Sequence, residues 1–288
     1  MIWSDFVQQQ HCVCGFSTSD SWVVLSPIEQ SIKQKIESVG TPLKDWDINI
    51  YRGVLTGYNE AFIISTEKRD EILSNCATED ERTRTAELIR PILRGRDIKR
   101  YAYEWADLWL INTHNGIKGK LERIHIEDYP AIKAHLDQYW DKISRRADKG
   151  ETPYNLRNCA YLEDFSKPKI VWGNLNLRAS YALVEDFAFI NAPSPMIVPA
   201  SKFLLAILNS KLADYYIRQL GVTRNGGYFE YKPMFVEKIP IPLYADKNLI
   251  SALEVGTLTK DDSKIDALVY ELYGLDNDEI AYIEEVSR

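Results

Sequence analysis

Hydrophobic residues recur at helical spacing in several parts of the chain. Residues 26–29, S-P-I-E, combine a hydroxyl cap, a proline and a glutamate, and they predict a helix that ends at a left-handed Gly40. A stripe of apolar positions predicts an amphipathic helix over residues 130–143. A strongly apolar segment that Ser201 caps predicts the longest helix of the chain, over residues 201–221.

Short apolar runs between turn residues predict strands in the middle of the chain. Residues 49–65 alternate apolar and polar positions around glycines, which predicts two short strands joined by a tight loop. Four further runs between residues 170 and 198 are separated by Gly, Asn, Asp and Pro. The pattern predicts an α+β fold with a strand-rich body over residues 41–245. A linker and helix over residues 1–40 precede this body, and a helical segment over residues 246–288 follows it.

The composition is that of an ordinary globular protein. Of the 288 residues, 45% are hydrophobic and 27% are charged, which excludes collagen-like, disordered and disulfide-rich classes. The longest apolar run, Phe203 to Leu208, is far shorter than the roughly 20 residues that span a bilayer, and we expect a cytoplasmic protein without a membrane segment. His11, Cys12 and Cys14 lie together, but no second pair follows at zinc-site spacing. We therefore predict free cysteines and no metal site.

Charge is segregated along the chain, although the formal net charge is only −7. Residues 1–81 and residues 246–288 each carry a net −7, whereas residues 82–245 carry a net +7. The most basic part is Arg82 to Arg100, which contains seven basic and two acidic residues. Such a segment can neutralise several phosphates, and each neutralised phosphate contributes salt-sensitive affinity for nucleic acid. A solvated helix face is the alternative interpretation.

In three segments, glycines that allow unusual backbone conformations lie next to side chains that can hydrogen-bond to bases or phosphates. The first is a glycine-rich loop. The second is an arginine cluster around Gly95, and the forked guanidinium groups match guanine or phosphate. The third is an Asn-Gly-Gly loop with an aromatic residue. The predicted DNA-binding residues are Thr56, Gly57 and Asn59; Arg94, Arg96, Lys99 and Arg100; and Arg224, Asn225 and Tyr228.

Each of these segments also has a purely structural interpretation. The first loop would be a hairpin that is hydrogen-bonded within itself. In the second segment, Asp97 would pair with Arg94 or Arg100 and form an internal salt-bridge network. The third loop would be a type I′ hairpin turn, for which Asn-Gly is a strong signal.

No catalytic motif accompanies these segments. The chain contains no Pro-Pro motif for holding an exocyclic amine, no phosphate loop, no nucleophile elbow and no H-E-x-x-H pair. Residues 116–119, G-I-K-G, lack the G-x-G core and the preceding strand that a dinucleotide or S-adenosylmethionine fold requires. We predict no catalytic residue in this chain, and this favours a binding module over an enzyme.

Four blocks of the chain carry a recognisable pattern: Thr41 to Ile64; Leu88 to Tyr101; Leu208 to Tyr216 with Gly226 to Pro242; and Ile265 to Leu275. The first block contains the stretch W-D-I-N-I-Y-R-G-V-L-T-G-Y-N-E-A-F, and the second contains L-I-R-P-I-L-R-G-R-D-I-K-R-Y. In this order, the four blocks resemble the TaqI-like C-terminal specificity domain. That family is the target-recognition part of type IIG restriction-modification enzymes and of related adenine-specific DNA methyltransferases.

The resemblance implies a sequence-specific module that recognises duplex DNA. A methyltransferase domain, and usually a nuclease, would precede this piece in a full enzyme. The implied partners are duplex DNA and those methyltransferase or endonuclease domains, against which helical portions would position the recognition region. S-adenosylmethionine and Mg²⁺ are expected only for the missing catalytic domains, and no cofactor is expected in this chain.

Two other functions remain open at this point. One is a metal-dependent nuclease of unrecognised type, in which Asp97, Glu230 and Glu237 would form a carboxylate metal site. The other is a protein-interaction adaptor without DNA binding, in which the acidic C-terminal helices would carry the partner surface.

Overall fold

A computed structural model describes residues 25–185, 188–220 and 223–287. The helices of these residues are Pro27–Val39 (α1), Asn59–Phe62 (α2), Thr66–Ser74 (α3), Glu79–Leu88 (α4), Pro130–Asp137 (α5), Trp140–Ile143 (α6), Lys202–Asn209 (α7), Lys211–Leu220 (α8), Pro233–Val236 (α9), Lys247–Thr259 (α10), Asp262–Tyr273 (α11) and Asn277–Val286 (α12). In the described part of the chain, no helix is both long and apolar enough to cross a bilayer.

The strands of the described residues form two four-stranded sheets and three short pairs. They are Thr41–Pro42 (β1), Asn49–Arg52 (β2), Ile63–Ser65 (β3), Ile89–Leu93 (β4), Ile98–Lys99 (β5), Ala102–Tyr103 (β6), Leu108–Ile111 (β7), Lys169–Trp172 (β8), Leu175–Asn176 (β9), Tyr181–Val184 (β10), Phe189–Ile190 (β11), Pro195–Val198 (β12), Phe229–Glu230 (β13) and Pro240–Ile241 (β14). The central sheet has the order β10-β8-β12-β2 and is antiparallel. The second sheet has the order β11-β4-β7-β3, and only its β11–β4 pair is parallel.

The central sheet lies between two hydrophobic cores. Successive side chains of a strand point to opposite faces, so Ile170 and Trp172 contact one core while Val171 contacts the other. Likewise, Ile197 contacts the first core and Met196 contacts the second. Burial on both faces explains why these strands are continuous apolar runs instead of alternating ones. The α+β fold predicted from these runs is confirmed.

Helices from both ends of the described chain share the first core. Ile32 and Ile36 of α1 pack with residues of α7, α8 and α10 to α12. Polar contacts join the same ends, because Glu279 of α12 accepts hydrogen bonds from Ser31 and Lys35, both at 2.6 Å. The acidic C-terminal helices are therefore packed against α1.

The predicted capping signals are confirmed, but two predicted helices are each divided. Ser26 and Glu29 form a capping box, and the Ser201 hydroxyl accepts from the Leu204 amide at 2.9 Å. The prediction of one long helix over residues 201–221 is wrong, since Ser210 has an extended ψ of 156° and separates α7 from α8. The helix predicted over residues 130–143 likewise divides into α5 and α6. Gly221 lies outside the described residues.

The predicted left-handed stop at Gly40 is also wrong. Gly40 has φ −99° and ψ 153°, which is an extended conformation. Glycine is required for space instead, because a β-carbon there would lie 2.4 Å from the carbonyl carbon of Pro240. The chain can therefore pair β1 with β14 immediately after α1.

Residues 49–65 contain the two predicted strands, but the strands do not form a hairpin. β2 pairs with β12 in the central sheet, whereas β3 pairs with β7 in the second sheet. The short helix α2 lies between them. The segment between β2 and α2 is thus a crossing between two sheets, in which Val54 makes an isolated parallel bridge with Asn191.

Candidate nucleic-acid interface

The Gly53 turn, residues 53–59, is the first predicted segment. Gly57 has φ +68° and is exposed, as is Asn59. Thr56 is only 2% exposed, and its hydroxyl donates to Asn59 Oδ1 at 2.5 Å. Thr56 therefore supports the turn from inside, while Gly57 and Asn59 face solvent.

A buried arginine lies beneath the Gly53 turn. Arg146 donates to the carbonyl oxygen of Thr56, to that of Asp148 at 2.9 Å and to that of Pro153 at 3.0 Å. It also donates to the carbonyl oxygen of Asn155 at 2.5 Å. Burial lowers the pKa of Arg146 to about 10, so the guanidinium stays charged at pH 7. This cation joins the Gly53 turn to residues 148–155.

The Arg94 turn, residues 94–97, is the second segment. Arg94 donates from Nε and Nη2 to the carboxylate of buried Asp97, at 3.0 and 2.8 Å, and these bonds raise the pKa of Arg94. Arg96 is exposed, and its side chain has no ion-pair partner among the residues that the structure describes. The turn thus fixes Arg94 internally and presents Arg96 to solvent.

Lys99 and Arg100 follow this turn and have different environments. Lys99 is exposed and donates to the Arg96 carbonyl oxygen at 2.8 Å. Arg100 donates to Asp262 of α11 from Nε at 3.0 Å and from Nη2 at 2.7 Å, and also to the Ala179 carbonyl oxygen at 2.9 Å. Its side chain is only 12% exposed. Arg100 therefore anchors the acidic helices to the body.

Arg100→Ala is expected to lower the free energy of unfolding at pH 7 by about 2 kcal/mol, because charged hydrogen bonds to Asp262 are lost. Burial alone would raise the pKa of Asp262, but the hydrogen bonds and charge of Arg100, together with Tyr101 and Arg178, lower that pKa. The contribution is therefore present above the unfolded pKa of roughly 3.9 and is lost as the pH falls through the folded value. Urea unfolding of Arg100→Ala and of the unaltered chain at pH 7 and pH 3 measures this loss, because the two stabilities should differ less at pH 3. Equal stability at pH 7 would contradict it, and Lys99→Ala is the exposed control.

The Arg224 loop, residues 224–228, is the third segment. Gly226 and Gly227 both have positive φ, and the Arg224 amide donates to the Tyr228 carbonyl oxygen at 2.7 Å. Arg224 donates from Nε to Glu230 at 2.6 Å, and Asn225 is exposed. The Tyr228 side chain is also exposed, at 43%. The loop closes in a hairpin-like manner but keeps its polar and aromatic groups at the surface.

The structure joins the three segments through a short series of contacts. The Gly53 amide donates to the Ser194 carbonyl oxygen at 2.8 Å, and a β-carbon at Gly95 would lie 2.8 Å from Ser194 Oγ. The same β-carbon would lie 3.7 Å from the α-carbon of Gly173. Asn176 donates to the Gly173 carbonyl oxygen at 2.8 Å and pairs with Phe229, just after the Arg224 loop. Ser194 and Gly173 therefore connect turns that lie far apart in sequence.

Sequence reasoning missed three residues of this region. Arg52 is exposed, directly precedes Gly53 and has no carboxylate at ion-pair distance within the described ranges. Ser194 is buried and touches two of the turns. Arg146 follows the predicted helix over residues 130–143, and its sequence neighbours do not indicate that it is buried. The one available signal was the position of Arg52 next to a predicted turn glycine.

The carboxylates of the possible nuclease site do not form such a site. Asp97 is bonded to Arg94, while Glu230 is bonded to Arg224 and to Lys232. Within residues 25–185, 188–220 and 223–287, no three His, Cys, Asp or Glu side chains come together as metal ligands. The nuclease hypothesis built on Asp97, Glu230 and Glu237 is therefore wrong. The His11, Cys12 and Cys14 cluster lies outside the described residues.

Comparisons with known proteins agree with the predicted resemblance. The family model described as the TaqI-like C-terminal specificity domain matches residues 90–241, which is more than half of the chain. The chain is 21% identical over 270 residues to the type II methyltransferase M.PaeR7I of Pseudomonas aeruginosa, covering 91% of this chain and 44% of that protein. It therefore spans less than half the length of that relative.

Two solved structures of restriction-modification enzymes have a similar fold. One is the type IIL enzyme MmeI in complex with DNA, with a TM-score of 0.62, 14% identity and coverage of 86% of this chain and 36% of that one. The other is the type IIG restriction endonuclease BpuSI, with a TM-score of 0.58, 15% identity and coverage of 90% and 32%. At this identity the likeness concerns the fold.

Proposed function

This chain belongs to the TaqI-like C-terminal specificity domain family, and we propose that it binds duplex DNA through the surface around its three turns. The Gly53 turn, the Arg94 turn and the Arg224 loop would contact the DNA together. Arg96 and Arg52 would neutralise phosphates, since neither has a carboxylate partner among the described residues. Asn59, Asn225 and Tyr228 would reach base edges or stack.

One observation supports this proposal most strongly. Three segments selected only for their DNA-binding chemistry are linked by direct contacts through Ser194 and Gly173. The three segments are far apart in the sequence, so nothing in the sequence requires them to lie close together in space. The exposed guanidinium of Arg96 lies in the middle segment, where it could reach a phosphate beside bases contacted by the other two.

Arg96→Ala is expected to weaken binding to duplex DNA and to lower the slope of log affinity against log salt by about one, because one phosphate contact is lost. The measurement is fluorescence anisotropy with a labelled random-sequence duplex at several salt concentrations. Lys247→Ala is the matched control, since it removes one exposed positive charge from the acidic C-terminal helices. An unchanged affinity and slope for Arg96→Ala would count against the proposal.

The activity of a full enzyme would require other segments. We propose that a methyltransferase or endonuclease domain is the protein partner, and that S-adenosylmethionine and Mg²⁺ belong to that partner. The proposal rests on the family and on the similarity to a type II methyltransferase that is more than twice as long as the aligned part. If the chain does not bind duplex DNA at low salt and yet binds a catalytic domain, it acts as a protein-interaction adaptor instead.

A further inference from the structure

A small β-ribbon, formed by β9 and β13, adjoins the Arg224 loop. β9 and β13 pair antiparallel, with Asn176 opposite Phe229 and Leu175 opposite Glu230. Thr223 makes an isolated antiparallel bridge with Phe229 on the other side of the loop. The major groove of B-form DNA is wide enough to admit a two-stranded ribbon of this kind.

The base of the ribbon is rigidly attached to the core. Tyr231, which follows β13, is fully buried; its hydroxyl donates to Asp214, and its carbonyl oxygen accepts from Trp172 Nε1 at 2.6 Å. Its amide donates to the Asn174 carbonyl oxygen at 2.8 Å. A rigid base means that little conformational entropy is lost when the ribbon enters a groove.

One arginine at the tip is held in a defined orientation. Glu230 accepts from Arg224 Nε at 2.6 Å and lies 2.8 Å from the Lys232 ammonium. The Glu230 side chain is only 6% exposed, whereas that of Arg224 is 54% exposed. The carboxylate thus contacts both Nε and Nη2 and holds the orientation of the guanidinium, while about half of the Arg224 side chain stays exposed to a ligand.

The surface beside this guanidinium is apolar. Leu175 and Leu177 are 53% and 55% exposed, and Leu175 lines a shallow groove together with Arg224, Asn225 and Tyr228. The charges of Arg224, Lys232 and Glu230 sum to +1, but a phosphate would gain nothing from the exposed leucines beside them. A base edge is neutral, and thymine offers a methyl group to apolar side chains.

We propose that this ribbon enters the major groove, where Arg224 bonds to O6 and N7 of a guanine and Leu175 contacts the 5-methyl group of a nearby thymine. The inference rests on the proposed function and adds a chemical identity to part of the target. It assigns base recognition to Arg224 and separates that role from the phosphate contact of Arg96.

The test is enrichment of binding sites from a random duplex library by the 288-residue chain and by its Arg224→Lys and Leu175→Ala variants. The unaltered chain is expected to enrich a motif with at least one fixed guanine. Arg224→Lys should lose discrimination at one guanine by about 5- to 150-fold, because a bidentate contact is replaced by a point charge. Leu175→Ala should lose discrimination between thymine and deoxyuridine at one position.

Duplexes with 7-deazaguanine at the assigned position provide a second measurement. This analogue lacks N7, so it should weaken binding of the unaltered chain more than binding of Arg224→Lys, whose single ammonium holds the guanine less firmly. Arg96→Ala is the matched control, because it should weaken binding to all sequences to the same extent. Circular dichroism spectra that match those of the unaltered chain establish that the variants fold.

The possible failures are distinguishable. If Arg224→Lys retains the full motif, or weakens binding equally for every sequence, the base-reading role of Arg224 is overturned while the proposed function stands. If the motif and the preference for thymine are unchanged by Leu175→Ala, the contact between Leu175 and a thymine methyl group is overturned, while the proposed function stands. If the unaltered chain enriches no motif and does not bind duplex DNA at low salt, both the proposed function and the inference about Arg224 are refuted.

Discussion

Arg146→Met is expected to lower the free energy of unfolding by about 3–5 kcal/mol, because buried carbonyl groups lose the donor that they share. The guanidinium donates to the carbonyl oxygens of Thr56, Asp148, Pro153 and Asn155, and only 7% of Arg146 is exposed. Its central carbon also lies 4.4 Å from the Phe62 ring centroid, a favourable cation–π geometry. Methionine preserves most of the packing but supplies none of the bonds.

The effect should be concentrated in the Gly53 turn. Chemical unfolding gives the total loss, and amide hydrogen exchange over residues 54–58 shows whether the turn opens first. Arg146→Lys should be intermediate, since one ammonium cannot reach carbonyls that the two Nη atoms now contact. Arg145→Met is the matched control, because Arg145 is the adjacent exposed arginine and its loss should cost less than about 0.5 kcal/mol. Equal stability of the two methionine variants would refute a structural role for Arg146.

Gly53→Ala is expected to cost about 3 kcal/mol or more, although it adds a single methyl group. The β-carbon would lie 2.3 Å from the Ile190 carbonyl oxygen and 2.6 Å from the Asn191 carbonyl carbon. Both are backbone atoms of a segment that pairs with β4 and bridges to Val54, so they cannot rotate away as a side chain can. The Gly53 turn would have to separate from Ser194, which should also weaken binding to duplex DNA.

Gly119→Ala is the control for the Gly53 experiment. Gly119 has φ +75°, and none of the described residues comes within 4 Å of an added β-carbon, so its cost should be limited to about 1–2 kcal/mol of left-handed strain. Thermal unfolding and DNA affinity are measured for both variants. A smaller loss for Gly53→Ala than for Gly119→Ala would show that the crossing between the two sheets can relax.

The candidate surface could be predicted only in part. The Gly53 turn, Arg96 and the exposed groups of the Arg224 loop were identifiable, because glycines beside arginine or asparagine have a local chemical signature. Arg94 and Arg100 have the same signature, yet Asp97 and Asp262 neutralise them. Asp97 is three residues from Arg94 and was a foreseeable partner, whereas Asp262 is 162 residues from Arg100.

Local sequence alone determined the caps at Ser26 and Ser201, the apolar strands of the central sheet and the blocks that identify the family, since these depend on near neighbours and on burial. Only the tertiary structure decided which basic side chains have no acidic partner among the described residues, which arginine is buried, and where the three turns meet. Contacts such as those through Ser194 and Gly173 arise from the packing of two sheets. These contacts join residues that are far apart in the sequence, so no local sequence pattern indicates them.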